Sequence, residues 1–355
     1  MVDNKKDFIL NEYRAQQAQE RRNYQEAILF SQAAAAAASA GDDDWGFCRM
    51  KFSIATLQYE LGLLDESVAT SRQLVGSAAI SAFPDLQSKA KVLLSRALQN
   101  QGGMEEALSV ARDASSDVEK DADDASFDAR ISSQHGLVAA LAEQGDLDAA
   151  WTEAMKLEEM VRSDASPRVA GMANWTIGNV GFMAGRNGEG LEYHKRASRD
   201  LASLNDVAQW GLFNKASAAV RLQAGVIESE TLECIERAEV ALGITGAAES
   251  DLLELRLARG RWELEIGNLR AAETLSRQVA TDASMLYPFL KARALQLLAL
   301  SLAAAGQRDK AIEAGRDSER LFEEVGAAIM AAETKEFVDQ WVPGEPDAEY
   351  GTPAE

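Results

Sequence analysis

LAEQGDLDAAW, residues 141 to 151, is a phrase that the chain keeps rewriting. LQNQGGMEEAL stands at 98 to 108, LQYELGLLDESV at 57 to 68 and LAAAGQRDKAI at 302 to 312. Taking the glycine of each phrase as a marker gives Gly62, Gly102, Gly145, Gly185, Gly225, Gly267 and Gly306, at intervals of 40, 43, 40, 40, 42 and 39 residues. Forty residues before Gly62 stands Arg22, in QERRNYQEAIL, which carries the same phrase with Arg in place of Gly. A chain of 355 residues could hold two or three unrelated domains, but a fixed period overrules that prior and gives eight copies of one element.

Apolar residues recur at helical spacing before each marker and again after it, so each marker falls in a tight turn between two antiparallel helices. Glycine accepts the left-handed backbone that ends the first helix. The acids that follow in GLLDES, GGMEEA and GDLDAA are expected to cap and complement the start of the second helix. Seven residues before the marker stand Ala15, Ala55, Ser95, Val138, Gly178, Ala218, Gly260 and Ala299. Five after it stand Ala27, Ser67, Ala107, Ala150, Gly190, Ala272 and Ala311, and in the longer sixth turn, GVIESETLEC, Cys234 takes that place. Small residues at both points let two helix axes approach closely.

The formal charge of −21 argues against unspecific binding to nucleic acid or anionic lipid, both of which need a basic surface. The start, MVDNKKDFILNEYRAQQ, lacks the apolar core of a secretion signal, and no apolar run approaches the roughly 20 residues that span a bilayer. These features predict a cytoplasmic protein. Cys48 and Cys234, far apart and without CxxC spacing, make neither a disulfide framework nor a zinc site.

Catalytic chemistry finds no foothold. The two histidines, His135 and His194, have no metal-ligand spacing, and His194 reads as a satisfied interior residue. There is no GxxxxGK[ST], GxGxxG or GxSxG motif, and GNVGFMAGRNGEG at 178 to 190 is explained by Gly178 and Gly190 as close-approach sites and Gly185 as the turn. The carboxylates of EKDADDASFD, at 119 to 128, read as a solvated connection between repeats. No enzyme, no cofactor and no metal is expected.

Small residues flanking a glycine turn, with Ile54, Leu94, Leu137, Ile177 and Leu298 just before the first small site and pairs such as Ala111/Ala114, Ala154/Leu157 and Ala238/Ala241 after the second, resemble the tetratricopeptide (TPR) repeat. The resemblance runs from about 7 to 325, with a period near 40 where the family's usual one is 34. In this it is similar to the long-helix repeats of bacterial regulators of the MalT type and of Rap-like peptide receptors, and the extra residues are expected to lengthen both helices. The implied fold is all-α: a right-handed α-solenoid of about eight hairpins in a single body over 1–341, closed by a capping helix at 326 to 341. The Pro-rich acidic tail, 342–355, is expected to be disordered.

With the marker as position 15, the family's inward positions 2, 5 and 9 comprise 24 residues, among them Arg49, Lys89, Arg96, Lys215, Arg261 and Arg293 but, of acids, just Glu12 and Glu254. The chain's 36 basic and 57 acidic residues in 355 would put about two bases and four acids there, so the expected inner face is basic in an acidic protein. Position 13 carries Glu20, Glu60, Glu143 and Glu265, which offers the competing reading that these bases pair within the solenoid. The candidate groove adds Asn100 and Asn179 as amide clamps and His135 and Trp175 as stacking or apolar contacts. The resemblance implies an adapter that binds a peptide or partner protein, acidic on the charge argument, or a peptide-responsive regulator acting through a partner without a DNA-binding domain of its own. A homodimer is compatible with either.

Overall fold

Each marker glycine ends a helix in the left-handed region, with φ running from 70° at Gly185 to 87° at Gly145. At Gly145 the hydrogen bonding closes as a Schellman turn: Asp146 N–H donates to Leu141 O at 3.0 Å and Gly145 N–H to Ala142 O at 3.0 Å. Asp146 then accepts from Ala149 N–H and caps the next helix. In the second hairpin the acids do not cap as expected. The cap position there falls to Leu63, and Asp65 and Glu66 lie inside the first turn, where they complement the helix dipole instead.

The computed structural model describes residues 4–21, 23–120, 126–161, 165–202, 204–283 and 287–341. The Arg22 marker, the centre of the acidic stretch at 121–125 and the expected disordered tail lie outside the described residues. Of the seventeen α-helices among the described residues, the first sixteen pair in chain order as eight hairpins and one follows them, with one short 3-10 helix and no strand. The chain divides into two compact units, Met1–Asp200 and Leu201–Glu355. In the first, the hairpins are α1/α2 (Asn4–Glu20, Tyr24–Ala40), α3/α4 (Asp44–Glu60, Leu64–Val75), α5/α6 (Pro84–Asn100, Met104–Lys120), α7/α8 (Phe127–Gln144, Leu147–Met160) and α9/α10 (Pro167–Met183, Asn187–Ala202). In the second they are α11/α12 (Val207–Gln223, Ser229–Thr245), α13/α14 (Glu249–Glu265, Leu269–Asp282) and α15/α16 (Pro288–Ala304, Arg308–Glu324), with α17 (Ala328–Asp339) packed on α16.

The close-approach sites meet as the small residues require. Ser67 Oγ donates to Ala55 O at 2.9 Å across the second hairpin, and Ser95 Oγ to Ala107 O at 2.8 Å across the third. Cys234 lies 3.8 Å from Ser217 Oγ and does occupy the second site of the sixth hairpin. Both helices of the third hairpin are 17 residues long, so the long period is spent on helix. Pro84, Pro167 and Pro288 each start a first helix, where the missing N–H costs nothing. The sequence reading missed the 3-10 helix Ala78–Ala82, whose Ile80 plugs a cluster with Cys48, Leu74, Leu86 and Ala90.

Within each unit consecutive first helices form one layer: α3 touches α5, α5 touches α7 and α7 touches α9, while α11 touches α13 and α13 touches α15. Second helices bridge to the next hairpin, as α4 does to α5 and α14 to α15. No helix of the described residues is long and apolar enough to cross a membrane.

Candidate peptide-binding face

The candidate residues fall on the layer of first helices, and their side chains divide by what already holds them. Arg49, on α3, reaches back to α1, with Nη1 2.5 Å from Glu12 Oε1 and its guanidinium 5.8 Å from the Phe8 ring centre. It stitches the first two hairpins together. Lys89, Arg96 and Asn100 stand exposed on α5. Arg96 lies over the Tyr59 ring at 5.0 Å, and Asn100 Nδ2 donates to Tyr59 Oη at 2.9 Å, so one tyrosine of α3 orients both. Lys89 lies two helical turns before Arg96, about 10 Å along the axis. The hydrogen bond from Ser126 holds the Asp85 carboxyl below its ordinary range, and the charge of Lys89 adds to that.

His135 Nδ1 is 2.8 Å from Thr176 Oγ1 and ties α7 to α9. Burial lowers its pKa to about 4, so the ring is neutral near pH 7. Trp175 is half-buried on α9. Asn179 turns into its own hairpin, its Oδ1 3.0 Å from Nε2 of the fully buried His194. His194 is the satisfied interior histidine that the sequence suggests.

In the second unit Lys215 bridges α11 to α13, with Nζ 2.5 Å from Asp251 Oδ1 and 2.6 Å from Glu254 Oε2. Desolvation pulls its pKa down, but the two carboxylates more than offset this and leave it raised. Arg261 pairs along its own helix with Glu265 at 2.6 Å. Arg293 is exposed on α15, yet the surrounding protein desolvates it and holds its pKa below the ordinary arginine value, against the pull of Glu254. Intramolecular pairing therefore claims Arg49, Lys215 and Arg261, and the structure gathers Arg96 and Asn100 around Tyr59.

Tyr59, Thr176 and Asp251 are the residues that sequence reasoning missed. Each comes from a neighbouring first helix about 40 residues away in register, and the repeat period is the signal that could have found them. Among the described residues no three His, Cys, Asp or Glu side chains gather as metal ligands.

No protein-family model matches the sequence, and comparison with curated proteins finds no match. Solved structures do match in fold. The apo form of the quorum sensor NprR from B. thuringiensis aligns with a TM-score of 0.55 at 10% identity, over 95% of this chain and 87% of that one. A tetratricopeptide-repeat protein from Parabacteroides merdae aligns at 0.51 and 12%, over 84% and 99%. The Rap conjugation gene regulator of plasmid pLS20, solved with the Phr* peptide, aligns at 0.50 and 13%, over 86% and 76%. Identities this low speak to the fold alone. In fold the chain is an all-α tetratricopeptide-repeat-like protein, and Rap and NprR regulators are among the structures that share its architecture.

Proposed function

We propose that the chain is a non-enzymatic interaction module that holds a peptide, or a segment of a partner protein, against its layer of first helices. The observation that carries this reading is the α5 face: Lys89, Arg96 and Asn100 are exposed on one helix, two of them oriented by Tyr59. A guanidinium held over a ring still has N–H groups to offer a carboxylate, and an ordered amide suits a peptide backbone. The ligand is then an acidic segment or a chain terminus. His135 and Trp175, on the next two first helices, supply stacking or apolar contact. Arg293 plays the basic part on the second unit, while Arg49, Lys215 and Arg261 mainly brace the layer and Asn179 braces its own hairpin. The setting is cytoplasmic, and neither nucleic acid nor membrane is a partner.

A second reading draws support from one fold neighbour having been solved with a peptide. In that reading the peptide shifts the packing of the repeats and the chain acts on a partner protein as a regulator. Both readings meet the same test. Selection of a random peptide library on the immobilised full chain should enrich acidic sequences whose binding weakens with salt. The Lys89→Glu/Arg96→Glu variant should lose at least about tenfold in affinity, the scale of one or two charge-assisted hydrogen bonds. Failure to enrich, or equal binding by a variant with unchanged helical circular dichroism, overturns the proposal.

A further inference from the structure

Arg293 makes no hydrogen bond or ion pair within the described residues. Its guanidinium is exposed on the inner side of α15 and yet desolvated by the protein around it, a cation with too little counter-charge. Of the carboxylates on the elements packed against α15, Glu254 of α13 is the one whose charge reaches it, and Lys215 already holds Glu254 at 2.6 Å. Exposed Glu333 and Glu336 of α17 exert no such pull, and Asp339 is claimed by Arg316 and Lys335. From Arg293 a stripe at helical spacing, half-buried Gln296 and Leu300 and then exposed Ala304, runs along α15 to the turn before α16. Trp341 sits at that turn: its ring packs with Ala303 on the Leu298 and Leu302 cluster, and Arg308 Nε donates to its carbonyl oxygen.

We propose that Arg293 is the docking point of the segment that follows Trp341 in this same chain, with Asp347 or Glu349 on the guanidinium. Residues 342–350 read VPGEPDAEY, with three acids and no Lys or Arg. Arg293 lies ten residues before Ala303, about 15 Å along the axis of α15. An extended chain covers about 3.3 Å per residue, so Glu345 falls short of the guanidinium while Asp347 and Glu349, six and eight residues after Trp341, reach it. A carboxylate there supplies the counter-charge that Glu254, shared with Lys215, does not. The short tether helps as well, since a segment held this close needs little intrinsic affinity to stay bound. The segment thereby covers the base that serves the second unit in the proposed function, a consequence that rests on that reading as the docking itself does not.

Zero-length carbodiimide crosslinking of the full-length Arg293→Lys variant tests this without any ligand. The new amine should couple within one chain to Asp347 or Glu349, in higher yield than exposed Lys310 and Lys335 do, and the link should be lost in about 1 M salt. No link at position 293, a yield no greater than at Lys310 and Lys335, or a link indifferent to salt overturns the proposal. Should Arg293→Lys lose helical circular dichroism, a nitroxide on Ala348→Cys decides, because Cys48 and Cys234 are buried and escape labelling. It should broaden the amide resonances of α15 around Arg293, and Arg293→Gln in the same background should relieve the broadening. Sharp resonances there, or broadening that survives Arg293→Gln, overturn the docking.

Discussion

Gly178→Val should lower the stability of the first unit by about 3 kcal/mol, read as a shift of its urea midpoint at constant slope. A Cβ at this position would lie 2.1 Å from His194 Cδ2, 2.8 Å from His194 Nε2 and 3.2 Å from the Gly190 carbonyl oxygen. His194 cannot step aside, because it is fully buried, edge-on to Phe182 at 5.0 Å and hydrogen-bonded to Asn179. The substitution therefore adds overpacking of about 1 to 3 kcal/mol to the loss of a buried hydrogen bond, about 1 kcal/mol or more. His194→Ala in the same background should recover part of the loss, since it removes the clash. An unshifted midpoint for Gly178→Val would mean that α9 and α10 are not in the close approach described.

Lys215→Met should cost the second unit about 3 kcal/mol at neutral pH, the lower end of the range for removing one partner of a buried ion pair, because Asp251 and Glu254 retain solvent. The side chain of Lys215 is 13% exposed, and its loss leaves two carboxylates facing each other with no cation between them. The folded pKa is raised above the ordinary lysine value, so this stabilisation is fully present at neutral pH and fades as pH climbs through the folded pKa. The gap between wild type and Lys215→Met should accordingly narrow at strongly alkaline pH. A gap that is the same at neutral and at strongly alkaline pH would assign the loss to packing of the lysine stem.

The hairpins, their turns and the small contact sites were legible because each rests on local chemistry that recurs with the period. Gly145 must have positive φ, and Ala107 and Ser95 must be small, whatever lies beyond their own hairpin. The 3-10 helix after α4 was not legible, because Ser-Ala-Ala-Ile-Ser-Ala carries neither helix nor turn punctuation and is fixed by Ile80 burying itself against the next hairpin. The candidate face was legible in composition but not in use. Charge counting finds Arg49, Lys215 and Arg261 on inward positions, yet whether they meet Glu12, Asp251, Glu254 and Glu265 depends on register between repeats and on rotamers. The same holds for Asn179, which counting places on an inward position and His194 draws into its own hairpin. Tyr59 illustrates the converse: nothing local marks it, and it gains its place from Arg96 and Asn100 of the following repeat.

Hydrogen–deuterium exchange of the full chain, with and without a peptide enriched by library selection, tests most directly whether the first helices form the binding face. Bound peptide should slow exchange on α5 and on its neighbours α3 and α7, and leave α4 and α6, the other layer of the same hairpins, unchanged. Protection confined to the second helices, or peptide binding with no protection on α5, would contradict the account.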